Sequence, residues 1–265
     1  MVSQEQTPRR SRSVVLRVLA ILAIVVLALV ALNLVAWALR SGERDTYPIE
    51  DGFDRVHVDV DAGPITIEAS QDGTASITIT TEAALFADAD VSFDVEDGEL
   101  TVDGDCSQGL WLVSWGRCHI EVELRVPPDV EVVARSGAGR VSTAGLAGSA
   151  DVESSAGGVR VDGHTGRLRA HSSAGGVTVT ELSSDDAEIS SSAGSVEVTA
   201  IDPPASLRAS SSAGAVTVTL PGGESYDLDA DTSAGSTTVE VPTDPSSPYH
   251  VEVRSSAGNV TVRGS

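Results

Sequence analysis

The residues with the most chemical promise in this chain form a column of hydroxyls. Ser136, Ser154, Ser172, Ser191 and Ser211 each stand two positions before an Ala-Gly pair, and Thr232 and Ser255 repeat the arrangement. A catalytic serine is one residue activated by one neighbouring base. Here the serines are many and equivalent, and no G-x-S-x-G elbow surrounds any of them. The expectation is structural: a small hydroxyl fits a tight corner and bonds to neighbouring backbone.

The other reactive types are just as dispersed. His57, His119, His164, His171 and His250 are scattered along the chain, and only His164 and His171 share a repeat. Asp227, Asp229 and Asp231 alternate, which places their carboxylates on one strand face. An EF-hand would need Gly at its sixth position and Glu at its twelfth, where Thr232 and Thr238 stand. The face reads as solvated and acidic, and no catalytic, metal or cofactor set is expected.

The Ala-Gly pairs that organise these side chains begin at Ala138, Ala156, Ala174, Ala193, Ala213, Ala234 and Ala257, at spacings of 18, 18, 19, 20, 21 and 23. A period near twenty residues is the mark of a solenoid, in which each coil buries its apolar face against its neighbours. Four residues before each Ala stands Ala134, Val152, Ala170, Ile189, Ala209, Ala230 or Val253, and Val-x-Val follows the Gly in most copies. Alternation of this kind predicts short β-strands with an inward column of apolar residue, hydroxyl, Ala and Val-x-Val. The fold class is therefore all-β: a parallel β-helix, or β-solenoid, of two or three short strands per coil. Eight coils are expected, counting a degenerate first copy at Asp61-Ala62-Gly63-Pro64-Ile65-Thr66-Ile67.

Outward positions test the stacking. Five before the Ala are Asp151, Arg169, Glu188, Arg208, Asp229 and Glu252, alternating in sign through the first five. In-register parallel strands about 4.8 Å apart set each charge between opposite neighbours. Aromatics are only 3% of the chain, so the core is built from Val, Ala, Ile and Leu.

Ahead of the repeats, residues 1–17 carry Arg9, Arg10, Arg12 and Arg17 against Glu5 alone. Residues 18–39 are apolar except for Asn33, and 22 residues at about 1.5 Å each span about 33 Å, enough for a bilayer core. The arginine excess before this segment sets the N-terminus in the cytoplasm and the rest outside. Ala36-Trp37-Ala38 has the form of a signal-peptidase site, but signal-peptide apolar regions run about 7–15 residues, so an uncleaved anchor is expected. Residues 40–52 read as a linker and 53–265 as the solenoid domain.

Within that domain the repeat is lost over residues 82–129. This insertion holds the two cysteines of the chain, Cys106 and Cys118. On the outer side of a membrane, that spacing predicts one disulfide closing a hairpin loop. It also holds Trp111 and Trp115, flanked by Leu110, Leu112 and Val113. Their first reading is a cap over the open end of the core; the sharper one is a contact patch for a partner or glycan.

The coil pattern Ser/Thr-x-Ala-Gly-x-Val-x-Val, the cysteine-bearing insertion and the N-terminal anchor together resemble a bacterial family of adhesin-like β-solenoids of unknown function. The resemblance spans about residues 50–265 and implies a surface location but no catalytic residues.

Charge narrows the partners. The chain has a net charge of −22, and every acid except Glu5 follows the apolar segment. Such a field repels nucleic acid. The expected function is a non-enzymatic, membrane-anchored cell-surface scaffold for contact with an envelope protein or glycan, without cofactors. Two alternatives stand beside it: a polysaccharide-acting β-helix enzyme, and an extracytoplasmic envelope-stress sensor working through a partner.

Overall fold

The computed structural model describes residues 41–83, 87–108 and 118–265, together with residues 19–20, 22–24, 26–27 and 30. Two compact units make up the chain, Met1–Ser41 and Gly42–Ser265. In the first, the described residues between 19 and 30 are helical, and Leu19, Leu22, Ile24, Val26, Leu27 and Val30 are all exposed. Much of the expected anchor over 18–39 lies outside the described residues. Among the described residues, no helix is long and apolar enough to cross a membrane.

The second unit is all β, in two sheets of eleven and ten strands. One coil shows how both arise. Leu168–Ser172 lies in the ten-stranded sheet and buries Leu168, Ala170 and Ser172; Ser173-Ala174-Gly175-Gly176 turns a corner; Val177–Leu182 then lies in the eleven-stranded sheet and buries Val177, Val179 and Leu182. The next coil repeats the path one strand further on. Pairing between coils is parallel and in register, with Ser154 against Ser172 against Ser191, and Val159 against Val177 against Val196. Each coil thus has two strands, and the interior is a thin double layer of β-branched and small side chains. Val152, Ala170, Ile189 and Ala209 face it from one sheet, Val161, Val179, Val198 and Val218 from the other.

The hydroxyl column points inward as expected, but the alanine column does not. Ala156, Ala174, Ala193 and Ala213 are exposed. Strand alternation ends at the buried Ser, and the chain then bends, leaving Ala on the outside of the corner. The following glycine carries the steric demand. A Cβ on Gly175 would collide with the carbonyl of Gly157 in the coil behind it, so only glycine allows corners to stack at this spacing.

Coil order in space departs from order in sequence at both ends. At the C-terminal end, His250–Ala257 pairs with Ser206–Ala213 on one side and Asp227–Thr232 on the other. Val260–Gly264 likewise lies between Val216–Leu220 and Thr237–Glu240. The last coil of the chain is therefore inserted beneath the penultimate one. This overturns the expectation of sequential stacking, and it gives the longer loops a purpose: residues 221–226 skip a coil and residues 241–249 return to fill the gap.

At the other end, the segment expected as an insertion supplies a further coil. Glu99–Gln108 pairs in parallel with Arg55–Ala62, and Cys118–Val126 with Ile65–Ala69. Two antiparallel strands then close the end, Ala87–Glu96 on the first and Ala75–Ala83 on the second. Ser41–Ile49, within the stretch expected as a linker, is the edge strand beyond Ala75–Ala83. The rings of Tyr47 and Phe93, one from each sheet, meet at 5.3 Å. Among the described residues, these antiparallel strands and rings do the covering expected of the tryptophan segment, as solenoid ends require.

Candidate functional site

The serine hydroxyls are structural. Ser136 donates to the carbonyl of Gly63 at 2.9 Å, Ser154 to Gly139 at 2.7 Å, Ser172 to Gly157 at 2.7 Å, Ser191 to Gly175 at 2.8 Å and Ser211 to Gly194 at 2.8 Å. Each hydroxyl is buried and its proton is directed at a corner carbonyl of the neighbouring coil. A buried carbonyl is satisfied, and the coils are tied together, by the same bond.

The histidines do not converge. His171 Nδ1 lies 2.8 Å from Ser190 Oγ on the outer face of the ten-stranded sheet, and His250 Nδ1 lies 2.7 Å from Asp227 Oδ2. His57 stands 4.0 Å from Glu99, and His119 is exposed. His164 is different. It is buried at a position stacked between Leu146 and Leu182, its Nε2 lies 3.2 Å from the Arg167 carbonyl oxygen, and its Nδ1 has no partner. Burial holds its pKa below the ordinary histidine value, partly offset by hydrogen bonding to the backbone of Arg167 and Gly166.

The acidic face over Asp227, Asp229 and Asp231 is present, and ion pairs take up part of it. Asp229 accepts from Arg254 at 2.8 Å and Asp227 contacts His250. Among the described residues, no group of three or more His, Cys, Asp or Glu is placed to hold a metal ion. A shallow hollow of about 170 Å³ lies here, lined by Arg208, Asp227, Asp229, His250 and Glu252 among others. That is below the roughly 300 Å³ at which small-molecule pockets begin.

Extended surfaces are therefore the main candidate. On the outer face of the ten-stranded sheet the charge ladder forms: Arg169 pairs with Glu188 at 2.9 Å, Arg208 with Glu252 at 3.1 Å, and Arg135 with Glu153 at 3.8 Å. The eleven-stranded sheet presents hydroxyls instead. Thr178, Thr217, Thr261 and Thr238 fall in one outward row, with Glu197 between the first two, and Thr180, Thr199 and Thr219 are outward in the neighbouring row. The Val-Thr-Val-Thr alternation of Val177–Thr180 and Val216–Thr219 carries this signal in the sequence.

The expected disulfide is present. Cys106 and Cys118 are bonded, with Cα atoms 5.8 Å apart. It does not close an antiparallel hairpin: Glu99–Gln108 and Cys118–Val126 lie in different sheets, so the bond staples the two sheets across one corner of the outermost coil. The Cys106 amide also donates to Asp61 Oδ2 at 3.2 Å, tying that corner to the next coil. Trp111 and Trp115 lie outside the described residues. Their segment begins and ends at the staple.

The geometry is that of a two-sheet parallel stack with a stapled, strand-capped end and two regular polar faces. The sequence model of Toastrack DUF4097 matches residues 128–263, and the chain belongs to that family. The chain is also similar to solved structures of low identity. A candidate adhesin from Parabacteroides merdae has 14% identity and a TM-score of 0.44, covering 85% of this chain and 96% of that one. A candidate cell adhesion protein from Clostridium sporogenes has 9% identity and a TM-score of 0.34, with 85% and 100% covered. A candidate lipid binding protein from Parabacteroides distasonis has 12% identity and a TM-score of 0.41, with 84% and 98% covered. No curated protein matches the chain.

Proposed function

We propose that the chain is a non-enzymatic, membrane-anchored surface protein whose solenoid is a rigid scaffold for contact with an envelope protein or glycan. The observation that carries this reading is the pair of outer faces. Both repeat at strand spacing, and their side chains are held by in-register pairing rather than gathered into a cleft. A flat, polar, periodic surface matches an extended partner better than a small molecule. The serines bond to backbone, and Arg135, Arg169, Arg208 and Arg254 are paired with acids. A lyase for acidic sugars would instead gather cations into a cleft.

The anchor is part of the proposal. Apolarity over 18–39, broken by Asn33 alone, and the exposure of every large apolar side chain described there support a helix whose solvent is lipid. The arginines at 9, 10, 12 and 17 support a cytoplasmic N-terminus and an extracytoplasmic solenoid.

A glycan-binding screen and an envelope pull-down with the full chain test this reading, run beside a Trp111→Ala/Trp115→Ala variant. The expected result is a specific extended ligand. Loss of that ligand in the variant would move the binding site from the sheet faces to the stapled segment. Turnover of a polysaccharide would overturn the non-enzymatic reading. Protease added to intact cells is expected to remove the chain beyond Leu39, and full protection would reverse the orientation.

A further inference from the structure

We propose that the open end of the stack, the coil Asp227–Thr232 and Thr237–Glu240, binds an extended, basic β-strand segment of a partner protein. The two ends of the solenoid are finished differently. One is closed by the antiparallel strands and the Tyr47–Phe93 ring pair. At the other, Asp227–Thr232 pairs only with His250–Ala257, and Thr237–Glu240 only with Val260–Gly264; among the described residues each is the last strand of its sheet. The interior is open there. Leu228 and Ala230 are half-buried and Val239 is 41% exposed, whereas their register partners Val251, Val253 and Val262 are at most 2% exposed.

The backbone defines the shape of the occupant. The amides of Asp227 and Ser233 donate into the stack, to the carbonyls of Tyr249 at 2.9 Å and Ser255 at 3.1 Å. Amides alternate in direction along a strand, so those of Leu228, Ala230 and Thr232 point out of the stack. A row of outward N–H and C=O groups is a template for one more strand. Proline, a bulge or an inward-pointing charge would blunt such an edge. Neither strand holds a proline, both keep continuous register, and their acids all lie on the outer faces.

Charge decides between occupants. In the outward row Arg208, Glu252, Asp229, the ladder ends on two acids in succession. Arg254 is taken up by Asp229 and Glu252, and Arg263 donates to Thr219 Oγ1, so Asp231 and Glu240 keep their charge uncompensated. A second copy is a poor match. Its own open end carries the same acids, and its capped end exposes Asp90, Asp94 and Glu96 on the edge strand Ala87–Glu96. Like charges set opposite one another destabilise a strand pair. The acids that bar self-pairing favour a strand with Arg or Lys at alternate positions. The proposal rests on the scaffold reading for its class of partner, and it moves the contact from the sheet faces to one end.

The test measures binding of a fluorescent peptide of alternating Lys and Val to the full chain in detergent, by anisotropy, with a Glu-Val peptide as control. Saturable binding of the Lys-Val peptide alone is expected, weakening with added salt. Hydrogen exchange locates it: at saturation the amides of Leu228, Ala230 and Thr232 are expected to slow, with those of Val177–Leu182 unchanged. Ala230→Pro deletes one outward amide and none that bonds within the stack, and is expected to weaken binding about tenfold. Asp231→Asn/Glu240→Gln removes no backbone donor, and is expected to weaken binding and flatten its salt dependence. Protection of Val177–Leu182 checks that each variant is folded. Absence of saturable binding overturns the proposal. So does binding that leaves exchange at Leu228, Ala230 and Thr232 unaltered, or that is indifferent to Ala230→Pro. Self-association abolished by Ala230→Pro would make a second copy the occupant and overturn it too. A ligand that protects the outer sheet faces instead leaves the scaffold reading standing and refutes this one.

Discussion

Ser255 donates its hydroxyl to the carbonyl of Gly214 at 2.9 Å, across 41 residues of chain, while Thr232, earlier in sequence, donates forward to Gly258 at 2.8 Å. The serine-to-glycine ladder therefore follows the order of coils in space. Each rung closes on a buried carbonyl with no other partner in the corner. Replacing Ser172 by Ala removes the donor and leaves the Gly157 carbonyl unsatisfied, at a cost of about 1–3 kcal/mol. Denaturant titration of the variant measures it; an unchanged midpoint would show that water takes the place of the hydroxyl.

The glycine on the accepting side is the stricter requirement. A Cβ on Gly214 would strike the carbonyl of Gly194, a backbone atom that cannot rotate away. Gly214→Ala is expected to cost at least the roughly 1–3 kcal/mol of an overpacked core, because the yielding group is backbone. Gly52→Ala is the control, since nothing lies within 4 Å of a Cβ there. By the same geometry Ala174→Leu is expected to be tolerated, because Ala174 is exposed. Thermal melts of the three variants separate corner sterics from general sensitivity.

These corners show where the sequence was readable and where it was not. The apolar and charged columns were legible because strand alternation is a local rule, and Val161, Val179 and Arg169 obey it. That rule holds as far as the buried Ser172 and fails at the corner beyond it, where Ala174 is exposed. The coil in the supposed insertion was hidden for another reason. Its corner holds Cys106 and Cys118 in place of Ala-Gly, although Leu100-x-Val102 and Ile120-x-Val122-x-Leu124 carry the alternation. The inverted order of the last two coils was not legible at all. Asp229 and Glu252 have the same charge, and Thr232 and Ser255 the same hydroxyl, so either coil satisfies the ladder next to Arg208 and Gly214.

One strained residue offers a stabilising substitution. Gly145 and Gly163 stack in successive coils with φ of 70° and 63°, and the matching position in the next coil is Glu181, with φ of 53°. A non-glycine residue there costs about 1–2 kcal/mol, while glycine adds about 0.5–1 kcal/mol of unfolded-state entropy. Glu181→Gly is expected to raise stability by up to about 1 kcal/mol. That is an increase of a few degrees in Tm for a domain of this size. A fall in Tm would mean that the carboxylate makes a stabilising contact outweighing the strain.

The disulfide is a local stabiliser of the capped end. Joining residues 12 apart, it restricts the unfolded chain by about 3 kcal/mol in the loop-entropy account. Cys106→Ser/Cys118→Ser is expected to lose stability of that order. Hydrogen exchange should rise first in Glu99–Gln108 and Cys118–Val126, with the amides of Val177–Leu182 still protected. Uniform loss of protection through all coils would instead show that the stack unfolds as one unit.

His164 gives the fold a defined acid sensitivity. Burial between Leu146 and Leu182 disfavours the imidazolium, so its folded pKa lies below the ordinary value of 6.5. The unfolded chain therefore takes up a proton at a higher pH than the folded chain, and stability rises with pH wherever that holds. The contribution of neutral His164 is complete above about pH 6.5 and is lost as pH falls from there toward the folded pKa. His164→Leu removes the titration and fills the apolar column with the residue type found on either side of it. The variant is expected to match or exceed the parent at pH 7.5. Its advantage should widen as pH falls below about 6.5, by at most about 1.4 kcal/mol per pH unit for one proton. Parallel stability curves across that range would show that His164 is hydrated or paired when protonated, and that its burial has no bearing on acid stability.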